Sequence, residues 1–273
     1  MTSGCPAGVF MERLLTLCFV LLATFGCEAN AAGADIGAIV LHGKWGSPEG
    51  VVDGLVAALE REHIRVRAPE MPWSRPRLYD KGVDDADAEM DAEIAKLRDG
   101  GAKRIFLIGH SLGANHVLHY ASRVPVTGVV AIAPGHRPES PAYLKAFGAD
   151  VRKARAMVAG GKGAETLSFL DLNSGNRREQ MTASAAAFLS YFDAEGPLNM
   201  TRNVKGMRPE IPTLWIVPIG EDPRVRPFVV ELYRSLPRNP GTRMAEPDAD
   251  HLSAPGASTQ IVVDWIREIA AKK

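Results

Sequence analysis

The chain has 273 residues, 32 basic and 32 acidic side chains for a formal net charge of +0, and is 46% hydrophobic and 23% charged. A balanced charge leaves no electrostatic footprint for nucleic acid or an anionic membrane surface, and a chain this long can bury one substantial core. All three cysteines, Cys5, Cys18 and Cys27, precede residue 28, so the remainder has neither a disulfide framework nor a cysteine metal site.

From Leu14 to Phe25 an apolar run follows Arg13. It is too short for a membrane span of about 20 residues and ends near Ala29-Asn30-Ala31, which reads as a secretory signal peptide over 1–31 with cleavage after Ala31. Export to the periplasm or medium is expected. A lipoprotein anchored at Cys27, which follows the small residue Gly26, is the alternative.

Ala38 to Leu41 is an apolar strand entering His42-Gly43-Lys44-Trp45-Gly46. Ser47 and Pro48 then suit the N-cap and first turn of a helix to about Glu62. A short strand over Ile64 to Ala68 leads into a proline-rich loop, from which Trp73 or Tyr79 could either line a pocket or pack the loop down. Ala86, Met90, Ile94 and Leu97 recur at helical spacing up to Gly100-Gly101. The acids Asp84, Asp85 and Asp87 at the start of that helix read as a solvated first turn, since they lack the glycine and terminal glutamate of a calcium loop.

Next comes the apolar strand Arg104 to Ile108, the pentapeptide Gly109-His110-Ser111-Leu112-Gly113, and a helix to about Val124. A serine at the tip of a sharp strand-to-helix turn needs flanking residues without a Cβ, and the helix start aims N–H groups at the site. Leu112 N–H is the natural first donor to an oxyanion. At this point the chain, from about Ile36 to its C-terminus, resembles the α/β-hydrolase family, specifically its serine hydrolases. The resemblance implies a mostly parallel, doubly wound α/β sheet with a helical cap insertion. It also implies a second oxyanion N–H from the residue after His42-Gly43, which is Lys44, with Trp45 as the alternative. Serine at the elbow disfavours the dehalogenase and epoxide hydrolase branches.

A buried strand over Val126 to Ala133 is followed by Pro134-Gly135, and no strand convincingly returns before Thr213 to Ile219. Ala142 to Ala159 and Ser184 to Phe192 look helical, so the cap expected at about 135–210 within a 32–273 hydrolase domain reads as helical. Gly160 to Gly163 lacks the ending of a phosphate loop and reads as a turn. A second helix reaches about Leu236, a last strand spans Thr242 to Ala245, and Ile261, Trp265 and Ile269 mark one face of a final helix.

Acyl transfer by serine needs a base and an acid that orients it. Ser111, Asp222 and His251 follow the chain order of the hydrolase fold, each just beyond a strand. Asp222 precedes Val225 by three positions, matching the family's Asp-x-x-Val, but it stands one residue closer to Gly220 than is usual, which keeps Glu221 open as the acid. His116 and His119 share a helix face without an evident third ligand and suit packing better than zinc. The expected activity is hydrolysis of carboxylic esters through an acyl-enzyme on Ser111, with no cofactor or metal. Thioesterase, amidase or acyltransferase chemistry, or a non-catalytic binding protein of the same fold, are the alternatives. The expected partner is a small acyl substrate, with no nucleic acid and no membrane span in the mature chain.

Overall fold

The computed structural model describes residues 1, 2, 4, 33, 35–173 and 177–272. Nearly all of the expected signal segment 1–31, including Cys27, lies outside the described residues.

Six parallel strands form the central sheet in the order β2-β1-β3-β4-β7-β8: β1 (Ile36–Leu41), β2 (Arg65–Arg67), β3 (Arg104–His110), β4 (Gly128–Ile132), β7 (Thr213–Ile216) and β8 (Arg243–Ala245). Strand alternation sorts their side chains into two cores. Ile39, Leu41, Ile105, Leu107, Val129, Ala131 and Trp215 face one layer of helices, α2 (Val83–Asp99) and α3 (Leu112–Ala121). Ala38, Val40, Phe106, Ile108, Val130, Ile132, Leu214 and Ile216 face the other, α1 (Asp53–Arg61) and α9 (Thr259–Ala271). Burial on both faces is why these strands read as continuous apolar runs. On α9, Trp265 and Ile269 are buried as the spacing predicts, and Trp265 packs against Gly128, where a Cβ would come within 2.8 Å of its ring.

Two expectations are corrected. The first helix begins at Asp53, not at Ser47: residues 47–52 form successive tight turns, with Gly50 N–H bonded to Ser47 C=O and Asp53 N–H to Gly50 C=O. Glycine is a poor helix former, and here it serves a turn.

The segment between β4 and β7 is not wholly helical. It contains α4 (Pro141–Ala159), the antiparallel pair β5 (Thr166–Asn173) and β6 (Arg177–Ser184), then α5 (Ala185–Phe192) and α6 (Met200–Lys205). The two strands pair from Thr166 opposite Ser184 to Asn173 opposite Arg177, as the strands of a hairpin do. Phe169 and Met181 face inward from the hairpin, and Phe188 stacks between Phe169 and Phe192 at ring separations of 4.1 and 4.6 Å. The hairpin and α5 thus share one apolar core with the elbow helix. After β7 come α7 (Arg226–Arg234) and, beyond β8, the short α8 (Ala254–Ala257).

Among the described residues no helix is long and apolar enough to cross a membrane, and no group of three or more His, Cys, Asp or Glu is placed to hold a metal ion.

Candidate active site

A parallel sheet delivers every strand's carboxyl end to one rim, and three loops meet there. Ser111 caps α3 with φ 55, the left-handed region, so its side chain is thrust out of the strand-to-helix turn. The turn is this tight because Gly113 lies against β1, where a Cβ would come within 2.6 Å of His42 C=O. Gly135, after β4, closes the other side: a Cβ there would meet Ser111 Oγ at 2.9 Å, and its N–H bonds to Ser111 C=O.

His251, in the loop after β8, places Nε2 3.0 Å from Ser111 Oγ. Asp250 folds that loop by accepting from Leu252 N–H, Ser253 N–H and Ser253 Oγ. The ring's other nitrogen, Nδ1, lies 2.7 Å from Glu221 Oε2. Glu221, not Asp222, therefore holds the histidine.

The reason is local. Gly220 packs against Ala249 and Asp250, its N–H bonded to Ala249 C=O, so the next residue is the one that reaches the ring. Glutamate's extra methylene spans the distance, and its Oε1 accepts from Asp222 N–H. Asp222 turns outward onto Arg224, which donates from its backbone N–H at 2.8 Å and from its guanidinium at 3.0 and 2.6 Å. That pairing draws the Asp222 carboxyl down to about 2. Glu221 is buried and Asp222 half-exposed, as orienting a ring and bracing a surface turn respectively require.

Of the two expected oxyanion donors, Leu112 directly follows Ser111, and Lys44 directly follows Gly43, where a Cβ would come within 3.1 Å of Ser111 Cβ. Among the described residues neither Lys44 N–H nor Leu112 N–H has a hydrogen-bond partner, whereas Trp45 N–H is taken by Trp73 C=O at 2.9 Å, which removes Trp45 as the alternative donor. The side chain of Lys44 leaves in another direction and is buried. Its ammonium sits 2.6 Å from Asp171 and 2.9 Å from Leu172 C=O, both on β5, and over the Phe192 ring. Burial works to lower its pKa, but the Asp171 carboxylate outweighs that and the ammonium's pKa is raised.

Trp73 and Tyr79 are both fully buried. Trp73 donates to His42 C=O at 2.9 Å and Tyr79 to Asp171 at 2.9 Å, so both pin loops. Of the acids at the start of α2, Asp84 and Asp85 are exposed, but Asp87 is buried against His116 at 3.1 Å, His119 at 3.3 Å and Arg123. Burial opposes its charge, yet the two imidazoles outweigh it and hold the carboxyl well below the usual range. His110 accepts a fixed place by bonding His251 C=O at 2.8 Å, and burial, with the neighbouring His251 ring, pushes it down to about 3.

Asp171 is the site-proximal residue that sequence reasoning missed. Its signal shows only once β5 is known to be a strand: Phe169 and Asp171 then share one parity, and an acid stands where an apolar residue would face inward.

Comparison with known proteins agrees with this architecture. Among curated proteins none matches the sequence significantly. Solved structures with the same fold include one of the metagenome-derived lipolytic enzymes LipS and LipT, at 17% identity and a TM-score of 0.61 over 88% of this chain and 95% of that one. The Paleococcus ferrophilus monoacylglycerol lipase is similar at 20% identity and a TM-score of 0.60, over 87% and 96%. The esterase domain of a Rhodothermus marinus protein is similar at 19% identity and a TM-score of 0.57, over 86% and 88%. The model of the alpha/beta hydrolase family matches residues 38–264, most of the chain and all of its central sheet except the first two residues of β1, and the protein belongs to that family.

Proposed function

We propose that the protein is a serine hydrolase that cleaves carboxylic esters through an acyl-enzyme on Ser111. The observation that carries the reading is the continuous hydrogen-bonded line from Ser111 Oγ through His251 to Glu221, at 3.0 and 2.7 Å. His251 Nε2 takes the serine proton as Oγ attacks the acyl carbon, while Glu221 keeps Nδ1 protonated and stabilises the imidazolium. Lys44 N–H and Leu112 N–H then hold the oxyanion of the tetrahedral intermediate. The imidazolium gives its proton to the departing alcohol. Water, deprotonated by the same nitrogen, releases the acid and restores the serine.

The choice of ester rather than another acyl bond is supported by the esterases and lipases among the similar folds. The segment from about 135 to 210 is proposed to act as the cap over this site. The N-terminal sequence supports export, with cleavage after Ala31. N-terminal sequencing of the mature protein is expected to begin at Ala32, and a diacylated Cys27 would replace that reading with anchoring.

The test is labelling by a fluorophosphonate probe together with turnover of a p-nitrophenyl ester series. The wild-type protein should be labelled at Ser111 and should turn over at least the short esters, and Ser111→Ala should do neither. Turnover by Ser111→Ala at the wild-type rate would reject the proposal.

A further inference from the structure

Asp171 is fully buried, and four donors fill its acceptor positions. Lys44 Nζ at 2.6 Å and Leu172 N–H at 2.8 Å bond Oδ1, while Trp45 Nε1 and Tyr79 OH, each at 2.9 Å, bond Oδ2. Two of the four donors are the consecutive residues 44 and 45 of the loop after β1. A third, Tyr79, comes from the loop after β2. The acceptor itself comes from the hairpin between β4 and β7, far away in sequence.

The loop after β1 needs such a hold. Trp45 sits at φ 55, a left-handed conformation that a bulky residue adopts only when its surroundings impose it. Its N–H is fixed by Trp73 C=O, its indole N–H by Asp171, and the guanidinium groups of Arg75 and Arg177 lie over its ring at 5.2 and 5.7 Å. Arg177 stands on β6, and Arg75 is paired with Glu179 of the same strand. Both strands of the hairpin therefore grip the residue directly after Lys44. The Lys44 N–H belongs to the 43–44 peptide, so its direction follows the placement of the Lys44 backbone, which is held by its own side chain on Asp171 and, one residue later, by the fixed Trp45.

We infer that Asp171 is a positioning residue for the oxyanion site: through Lys44 Nζ and Trp45 Nε1, the hairpin fixes the direction in which the Lys44 N–H points. The inference rests on the serine hydrolase reading above and adds that the hairpin completes the oxyanion site. An ammonium buried this deeply serves as a hook, because its bonds go to Asp171 and Leu172 C=O. Its charge keeps the hook closed where a neutral side chain could let go.

The experiment compares wild type, Asp171→Asn and Tyr79→Phe, each normalised to the sites titrated by a fluorophosphonate. Three quantities are read: kcat, KM for a p-nitrophenyl ester, and the inhibition constant of a trifluoromethyl ketone, whose adduct carries the oxyanion. Asp171→Asn is expected to lower kcat per titrated site about 10²-fold, the scale set by loss of one oxyanion donor or by an ångström of misplacement. KM should stay within about threefold, and ketone binding should weaken in proportion to kcat, as expected when only the tetrahedral state loses a contact. A merely structural role would reduce the number of titrated sites and leave kcat per site and the ketone constant unchanged, which would overturn the inference. Tyr79→Phe keeps the ring and removes one bond to Asp171, and a smaller change of a few fold in the same two quantities is expected. Should Asp171→Asn yield no titratable sites, an unchanged Tyr79→Phe would overturn the inference and a proportional loss would uphold it. Absence of labelling in the wild type would instead remove the hydrolase reading, and this inference with it.

Discussion

The rim of the sheet and the hairpin between β4 and β7 both carry charged groups to one small site, but they treat those groups differently. At the rim, Glu221 and His251 stand at the ends of short loops, each bonded to its functional neighbour, with the imidazole still partly open to solvent. In the hairpin, Asp171 is closed off and takes four donors, and Lys44 is closed off with it. A group that must gain and lose a proton needs few fixed partners and a route to water. One that must hold a loop needs the opposite. The same contrast separates Glu221 from Asp222: adjacent carboxylates, one turned in upon a ring and the other out upon Arg224.

Breaking the rim should have the largest effect. Ser111→Ala or His251→Ala should each lower kcat by about 10⁶, and the double variant should fall little further, because the pair acts as a unit. Ester hydrolysis followed over several decades of enzyme concentration measures this. Next, Glu221→Gln should cost about 10⁴ in kcat, the scale of losing the group that fixes the histidine tautomer, while Asp222→Asn should stay within about threefold. Equal losses in these two variants would erase the distinction between the adjacent acids.

The rim was legible because its logic is local. Ile105 to Ser111 names its own strand, turn and nucleophile within a few residues, and His251 follows the last strand where the resemblance places it. The acid was legible to within one residue. Its choice depends on how Gly220 packs against Ala249, a contact between segments that no spacing rule encodes. The hairpin was not legible, because Thr166 to Ser184 contains few of the β-branched residues that mark strands, and its inward set is short and interrupted by Asp171. Asp87 failed similarly: on sequence it belongs to an acidic helix start, and only the arrival of His116, His119 and Arg123 from α3 and the residues after it makes it a buried anchor.

Emptying the core beneath the hairpin should cost stability. Phe188 is fully buried between two stacked rings, and Phe188→Ala should destabilise the fold by about 3–5 kcal/mol. Because Phe169, Phe188 and Phe192 share a core with Leu112 and Val117 of the elbow helix, the loss should appear as one lowered thermal transition. A separate early transition in calorimetry would show that the hairpin and α5 melt apart from the sheet.

A further expectation is a dependence of stability on acid. Burial lowers the pKa of His42, His116 and His136, and carries His110 down to about 3. A free histidine titrates near 6.5, so below that pH the unfolded chain takes up protons that the folded one refuses. The unfolded state then binds more protons, and stability falls as pH falls; above about 6.5 the contribution is fully present. Each such histidine adds at most about 1.4 kcal/mol per pH unit to the slope until its folded form protonates, which for His110 is at about 3. Urea midpoints at pH 7, 6, 5 and 4 should therefore decline. His110→Gln, which has no proton to take up in this range, should decline less steeply by one histidine's share. An unchanged slope in that variant would move the acid sensitivity from the rim to His136 beneath α4 and α5 or to the His116 cluster behind the elbow helix.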